Sequence, residues 1–136
     1  MIRLNDAYRI AEAEGIEVLS SADLKLTESV SVQLPGWKCF IGIDSERMTE
    51  AEEKVHLFHE LGHCVLGAFY NPYALLDVRQ QHERRADKWA ILRMIPRDEW
   101  DYFIKHESAE VWALAERFGV TEDYVRKAAE LYSQNK

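Results

Sequence analysis

A chain of 136 residues, 47% of them hydrophobic and with four Trp, six Tyr and five Phe, carries enough apolar side chain for one real core and excludes global disorder. Its 24 acidic against 17 basic side chains leave a net charge of −7, with the acidic excess in both halves, which argues against a nucleic-acid backbone as the main partner. Apolar runs fall far short of the ~20 residues of a membrane span, and residues 1–14, with Asp6, Glu12 and Glu14, lack the apolar segment of an export signal.

In chain order, Leu4, Tyr8 and Ala11 share one side of a short helix over residues 4–14 that stops at Gly15. Residues 16–19 and 30–34 read as strands, and Pro35-Gly36 turns the chain into a third, residues 37–43, rich in aromatic and branched side chains. Together they predict a small antiparallel sheet. Thr49 followed by Glu52 is a capping box that opens a helix running to Gly67, with Val55, Phe58, Gly62 and Val65 at helical spacing. Asn71-Pro72 marks a loop, and a second long helix covers about residues 80–95 until Pro96 stops it. Residues 108–118, Gly119 and residues 121–132 read as a helix, a tight turn and a last helix.

The expectation is a single α+β domain over residues 1–136. Its three parts are a helix and small sheet (1–48), a central pair of helices (49–96) and carboxy-terminal helices (97–136). Cys39 and Cys64 are too few for a disulfide framework, so reduced buried thiols in a cytoplasmic protein are expected, with a single bridge as the alternative.

The chemistry concentrates on the central helix, in His59-Glu60-Leu61-Gly62-His63. Helix positions four apart lie about 40° apart around the axis, so both imidazoles can converge on one cation. Glu60, one residue on, is angled to take a proton from water polarised by that cation without ligating it. Two surface histidines on an amphipathic helix would show the same five letters. A hydrolytic zinc site needs a third protein ligand. The metzincin pattern is excluded by Leu66 and Phe69, where it requires Gly and His.

Glu83, on the next long helix, completes a His, His, Glu set. Asp87, one turn later, lies on nearly the same face, where it can accept a hydrogen bond from the non-ligating nitrogen of a histidine. Taken alone, Glu83 and Asp87 also read as a solvated charged face beside Arg84, Arg85 and Lys88. The upstream histidine pair favours the ligand reading, and the small Ala86 would let the two helices approach.

These residues, with Trp89-Ala90 and Met94-Ile95-Pro96, resemble the ImmA/IrrE family of metallopeptidases, which pair H-E-x-x-H with a downstream E-x-x-A-[ND] and a following M-P or I-P. The likeness spans about residues 16–100, including Ile41-Gly42-Ile43-Asp44 ahead of the metal helix. It implies a minimal zincin-like fold, with the small sheet packed on the H-E-x-x-H helix. It also implies His59, His63 and Glu83 as ligands of zinc or another divalent ion, Glu60 as general base, and Asp87 at the family's Asn/Asp position. The implied activity is a zinc endopeptidase that cleaves a helix-turn-helix repressor or similar regulator. The rival is a non-proteolytic zinc-containing binding module of a regulatory or toxin-antitoxin pair.

An extended substrate would add to a sheet edge expected at residues 37–43. His56 and His82 read as polar surface positions, with His82 also considered as an oxyanion donor, while His106 has no evident partner. Tyr70 and Tyr73 read either as loop aromatics closing over the core or as donors to a tetrahedral intermediate. Residues 114–121 read like the turn of a helix-turn-helix, but the acidic balance over residues 110–130 favours a helix pair packed on the domain or docking a protein over DNA binding through 110–130. Neither a membrane nor a nucleic acid is an expected partner, and the sequence is silent on oligomeric state.

Overall fold

The computed structural model describes residues 1–20, 29–33, 38–67 and 76–134. Helix α1 (Leu4–Ala13) buries Ala7 and Ala11, and Gly15 leaves it with a φ of 70° that a side chain would resist. Three strands follow: β1 (Glu17–Ser20), β2 (Val30–Gln33) and β3 (Cys39–Ile43). Then come α2 (Glu50–Leu66), α3 (Leu76–Met94), α4 (Arg97–His106), α5 (Val111–Phe118) and α6 (Glu122–Gln134).

The α+β class and the sheet packed on the central helix agree with the sequence, but the sheet is mixed rather than antiparallel. Its order is β1-β3-β2, with β1 parallel and β2 antiparallel to β3. The physical reason lies in burial. Cys39, Ile41 and Ile43 all face the core, so β3 takes the centre, while Leu19, Val30 and Val32 remain exposed on the outer strands. Consecutive strands β1 and β2 therefore do not pair, and β3 is not the edge expected for substrate.

Helix α2 lies on the buried face of the sheet through Val55, Leu57, Phe58 and Leu61, and α3 packs beside it with Trp89, Ala90, Ile91 and Met94. Gly62 meets Ala86 at the crossing: a Cβ built on Gly62 would stand 2.9 Å from the Ala86 carbonyl oxygen. Small residues at both positions bring the two backbones into contact, as the sequence suggested for Ala86. Helix α3 begins about a turn before the expected residue 80, since nothing after Pro72 breaks it.

Helix α4 was not foreseen as a separate element. Pro96 ends α3 but occupies the N-cap of α4, whose first turn carries Asp98 and Glu99 and whose last carries Lys105 and His106, matching the helix dipole at both ends. The α5–α6 pair turns at Gly119 (φ 65°) and joins the same core through Leu114, Phe118, Val120, Val125, Ala128 and Tyr132. Among the described residues no helix is long and apolar enough to cross a membrane.

The cysteines are bonded to each other, against the expectation of free thiols. Cys39 opens the central strand and Cys64 lies in the last turn of α2. Packing of helix on sheet brings their Cα atoms to 5.9 Å, within bridging range. A separation of 25 residues gives no hint of that contact.

Candidate metal centre

Helix α2 is well specified at both ends. The Thr49 side chain accepts from the Glu52 amide, the Glu52 carboxylate accepts from the Thr49 amide, and Gly67 closes the helix with a φ of 63°. The regular turn between these caps puts His59 and His63 on the side facing α3. Their Nε2 atoms stand 3.2 Å apart, and Glu83 Oε2 lies 2.7 Å from the first and 3.3 Å from the second. Ligands at ~2.0–2.1 Å in a tetrahedron are separated by about 3.3 Å, so two nitrogens and an oxygen already define one face of such a polyhedron. Among the described residues, the ligating atoms of His59, Glu60 and His63 also fall within 4.8 Å of one another.

Glu60 is nonetheless distinguished from Glu83. Its Oε1 accepts from Ser31 Oγ and its Oε2 from Ser29 Oγ, both at 2.8 Å, and the residue is 6% exposed. Ser29 Oγ also lies 3.0 Å from His56 Nδ1. Glu60 thus sits beside the nitrogens with its carboxylate held by Ser31 of β2 and by Ser29 just before it, whereas the Glu83 carboxylate lies within hydrogen-bonding range of both imidazoles.

Behind His59, Nδ1 is 2.7 Å from Asp87 Oδ1, which also accepts from the Tyr124 hydroxyl at 2.6 Å; Lys127 Nζ is 3.2 Å from Asp87 Oδ2. Burial pulls the His59 imidazole down, but hydrogen bonds to Asp87 and Glu83 outweigh it and hold His59 at about 9. Hydrogen bonds from His59 and His63 hold Glu83 far below the usual carboxylate range. Burial pushes Asp87 up, yet His59, Tyr124 and Lys127 keep it on balance below its ordinary value. Burial and the Asp87 charge push the Tyr124 phenol well up, leaving it a hydrogen-bond donor. Two imidazole nitrogens and a carboxylate oxygen gathered within 3.3 Å of one another form a donor set that suits a borderline-soft divalent cation such as zinc.

The five residues singled out from sequence, His59, Glu60, His63, Glu83 and Asp87, are therefore all in one cluster. His56 contacts Ser29, His82 is half-buried on α3, and His106 is exposed and stacks on Tyr102. Tyr70, Tyr73, Trp37 and the Asn71-Pro72 loop lie outside the described residues. Ser29, Ser31, Tyr124 and Lys127 were missed. Ser29, just before β2, and Ser31, within it, stand two positions apart, an alternation that offered a weak signal, while Tyr124 and Lys127 reach the site only through the packing of α6.

The family model of the IrrE N-terminal-like domain, peptidase family M78, matches residues 11–130. No curated protein and no solved structure matches the chain.

Proposed function

This chain belongs to the IrrE N-terminal-like family of M78 peptidases, and from that membership we propose that it is a zinc-dependent endopeptidase. The observation that carries the reading is the convergence of His59 Nε2, His63 Nε2 and Glu83 Oε2 beside a carboxylate, Glu60, that is held by other groups. His59, His63 and Glu83 would hold the ion. A bound divalent cation supplies Lewis acidity, polarising a peptide carbonyl and bringing the pKa of water toward ~7.

Glu60 takes the proton of the attacking water and returns it to the leaving amine. Ser29 and Ser31 each donate to one of its carboxylate oxygens, hold it beside the histidines and spare it a rotamer search. Asp87 accepts from His59 Nδ1–H, so Nε2 presents its lone pair to the cation. Strand β2, an outer strand of the sheet whose Ser31 holds Glu60, carries main-chain groups able to pair with an extended substrate segment. The substrate we propose, from the family resemblance, is a helix-turn-helix repressor cut in an exposed or unfolded strand-like stretch.

Co-expression with candidate repressors tests this. The wild type and Glu60→Gln should both bind zinc, and only the wild type should produce fragments. If the wild type binds zinc and a repressor but leaves it intact, the protein is a zinc-containing binding module. If Glu60→Gln cuts as fast as the wild type, Glu60 is not the base.

A further inference from the structure

Asp87 and the helix that surrounds it carry a consequence for the metal centre. Each of its carboxylate oxygens is engaged from α6: Oδ1 accepts from the Tyr124 hydroxyl at 2.6 Å, and Oδ2 pairs with Lys127 Nζ at 3.2 Å. The Tyr124 oxygen is also 3.3 Å from His59 Nδ1, so phenol, carboxylate and imidazole form one closed group. Tyr124 is 6% exposed and its hydroxyl is committed inside the protein. Lys127 is half-exposed, lies over the Tyr124 ring at 5.0 Å and also reaches Asp123 at 3.7 Å. A carboxylate held by a hydrogen bond at one oxygen and an ion pair at the other cannot rotate freely, and the ring it supports inherits that fixity.

We propose that α6 is a working part of the metal centre, with Tyr124 and Lys127 as positioning residues that lock Asp87 and, through it, the orientation and tautomer of His59. This rests on the reading of His59, His63 and Glu83 as cation ligands. It gives the carboxy-terminal helix pair a role distinct from docking or nucleic-acid binding: without α6, Asp87 would face solvent and His59 would lose its rigid support.

The test is zinc affinity of the full chain, measured by competition with a chromophoric chelator, for the wild type, Tyr124→Phe, Lys127→Met, Tyr132→Phe and His63→Ala. Tyr124→Phe should bind zinc roughly 10- to 100-fold more weakly, as expected when the support of a ligating histidine is removed. Lys127→Met should bind about two- to five-fold more weakly, since its ammonium is half in water. Tyr132→Phe removes a buried hydroxyl from the same helix, one that donates to the Ile95 carbonyl, and should leave zinc affinity unchanged. In zinc-loaded protein, the His59 Nδ1–H proton should be protected in the wild type and exchange faster in Tyr124→Phe.

Equal affinity of Tyr124→Phe and wild type overturns the proposal. So does an equal loss in Tyr132→Phe, which would mean that α6 acts only through packing. If His63→Ala binds zinc as tightly as the wild type, the ligand reading itself fails and takes this inference with it. If His63→Ala loses zinc while Tyr124→Phe keeps it, only the role of α6 falls.

Discussion

Lys54 and His59 are two bases withdrawn from water on the same helix, little more than one turn apart, and their surroundings push them in opposite directions. Lys54 is 3% exposed and donates to a neutral acceptor, the Phe118 carbonyl, at 2.6 Å. Burial lowers it to about 8 despite the distant pull of Glu50 and Asp6. His59 meets two carboxylates and is raised to about 9. Burial alone therefore does not decide the charge of a buried group; the charge of its acceptor does. Helix α2 has a structural half, where Lys54 is buried against a neutral carbonyl, and a chemical half, where His59 is gathered in by two carboxylates.

The sharpest way to break this division is at the chemical half. Glu60→Gln should lower peptide cleavage by about 10²- to 10⁴-fold with zinc content unchanged, read as fragments on a gel and metal by atomic absorption. Parallel loss of zinc would make Glu60 a ligand and erase its distinction from Glu83. Next in size is the bond that ties the chemical half to the sheet. Reducing Cys39–Cys64, or replacing both with Ser, opens a 25-residue closure and should cost about 3 kcal/mol in urea unfolding. Gly62→Ala forces a methyl group against the Ala86 backbone and should cost about 1–3 kcal/mol. It should also weaken zinc binding, because α3 carries Glu83 and must shift. Unaltered zinc affinity would show that the donor set tolerates movement of α3.

The smallest effects sharpen the comparison through pH, followed as unfolding free energy of the zinc-free protein. A raised histidine contributes stability in full below its unfolded value near 6.5, and that contribution is lost as pH rises through about 9; removing it with His59→Gln should flatten the curve there by about 2 kcal/mol. A lowered lysine works the other way. Its penalty is complete below about 8 and is relieved as pH climbs toward 10.5, so wild-type stability gains about 1 kcal/mol in that window and Lys54→Met should not. Slopes of the same sign at both residues would remove the contrast.

What could be read from the residues divides along a similar line. A helix converts sequence spacing into a face, so His59, His63, Glu83 and Asp87 were legible as groups that could meet; Thr49 and Gly67 marked the ends of α2, and Gly15 and Gly119 the ends of α1 and α5. Local spacing says nothing about which element lies across a gap. The neighbour of β1 is β3 because β3 is the most buried strand, a comparison that only the assembled sheet makes. The Cys39–Cys64 bond, the two serines on Glu60 and the grip of Tyr124 and Lys127 on Asp87 all bridge elements distant in the chain. Pro96 misled in another way: it forbids continuation of a helix, yet it permits a new one to start at once.

The meeting of Gly62 with Ala86 bears on which ions the centre would accept. Where side chains separate two helices, rotamers can give way and the gap can stretch. Here main chain rests on main chain, so the span between the imidazoles on one side and the Glu83 carboxylate on the other behaves as a caliper with a fixed jaw. Small transition ions with bonds near 2 Å would fit between those jaws, whereas calcium, with bonds of roughly 2.3–2.6 Å and a demand for six to eight oxygens, would have to prise the helices apart.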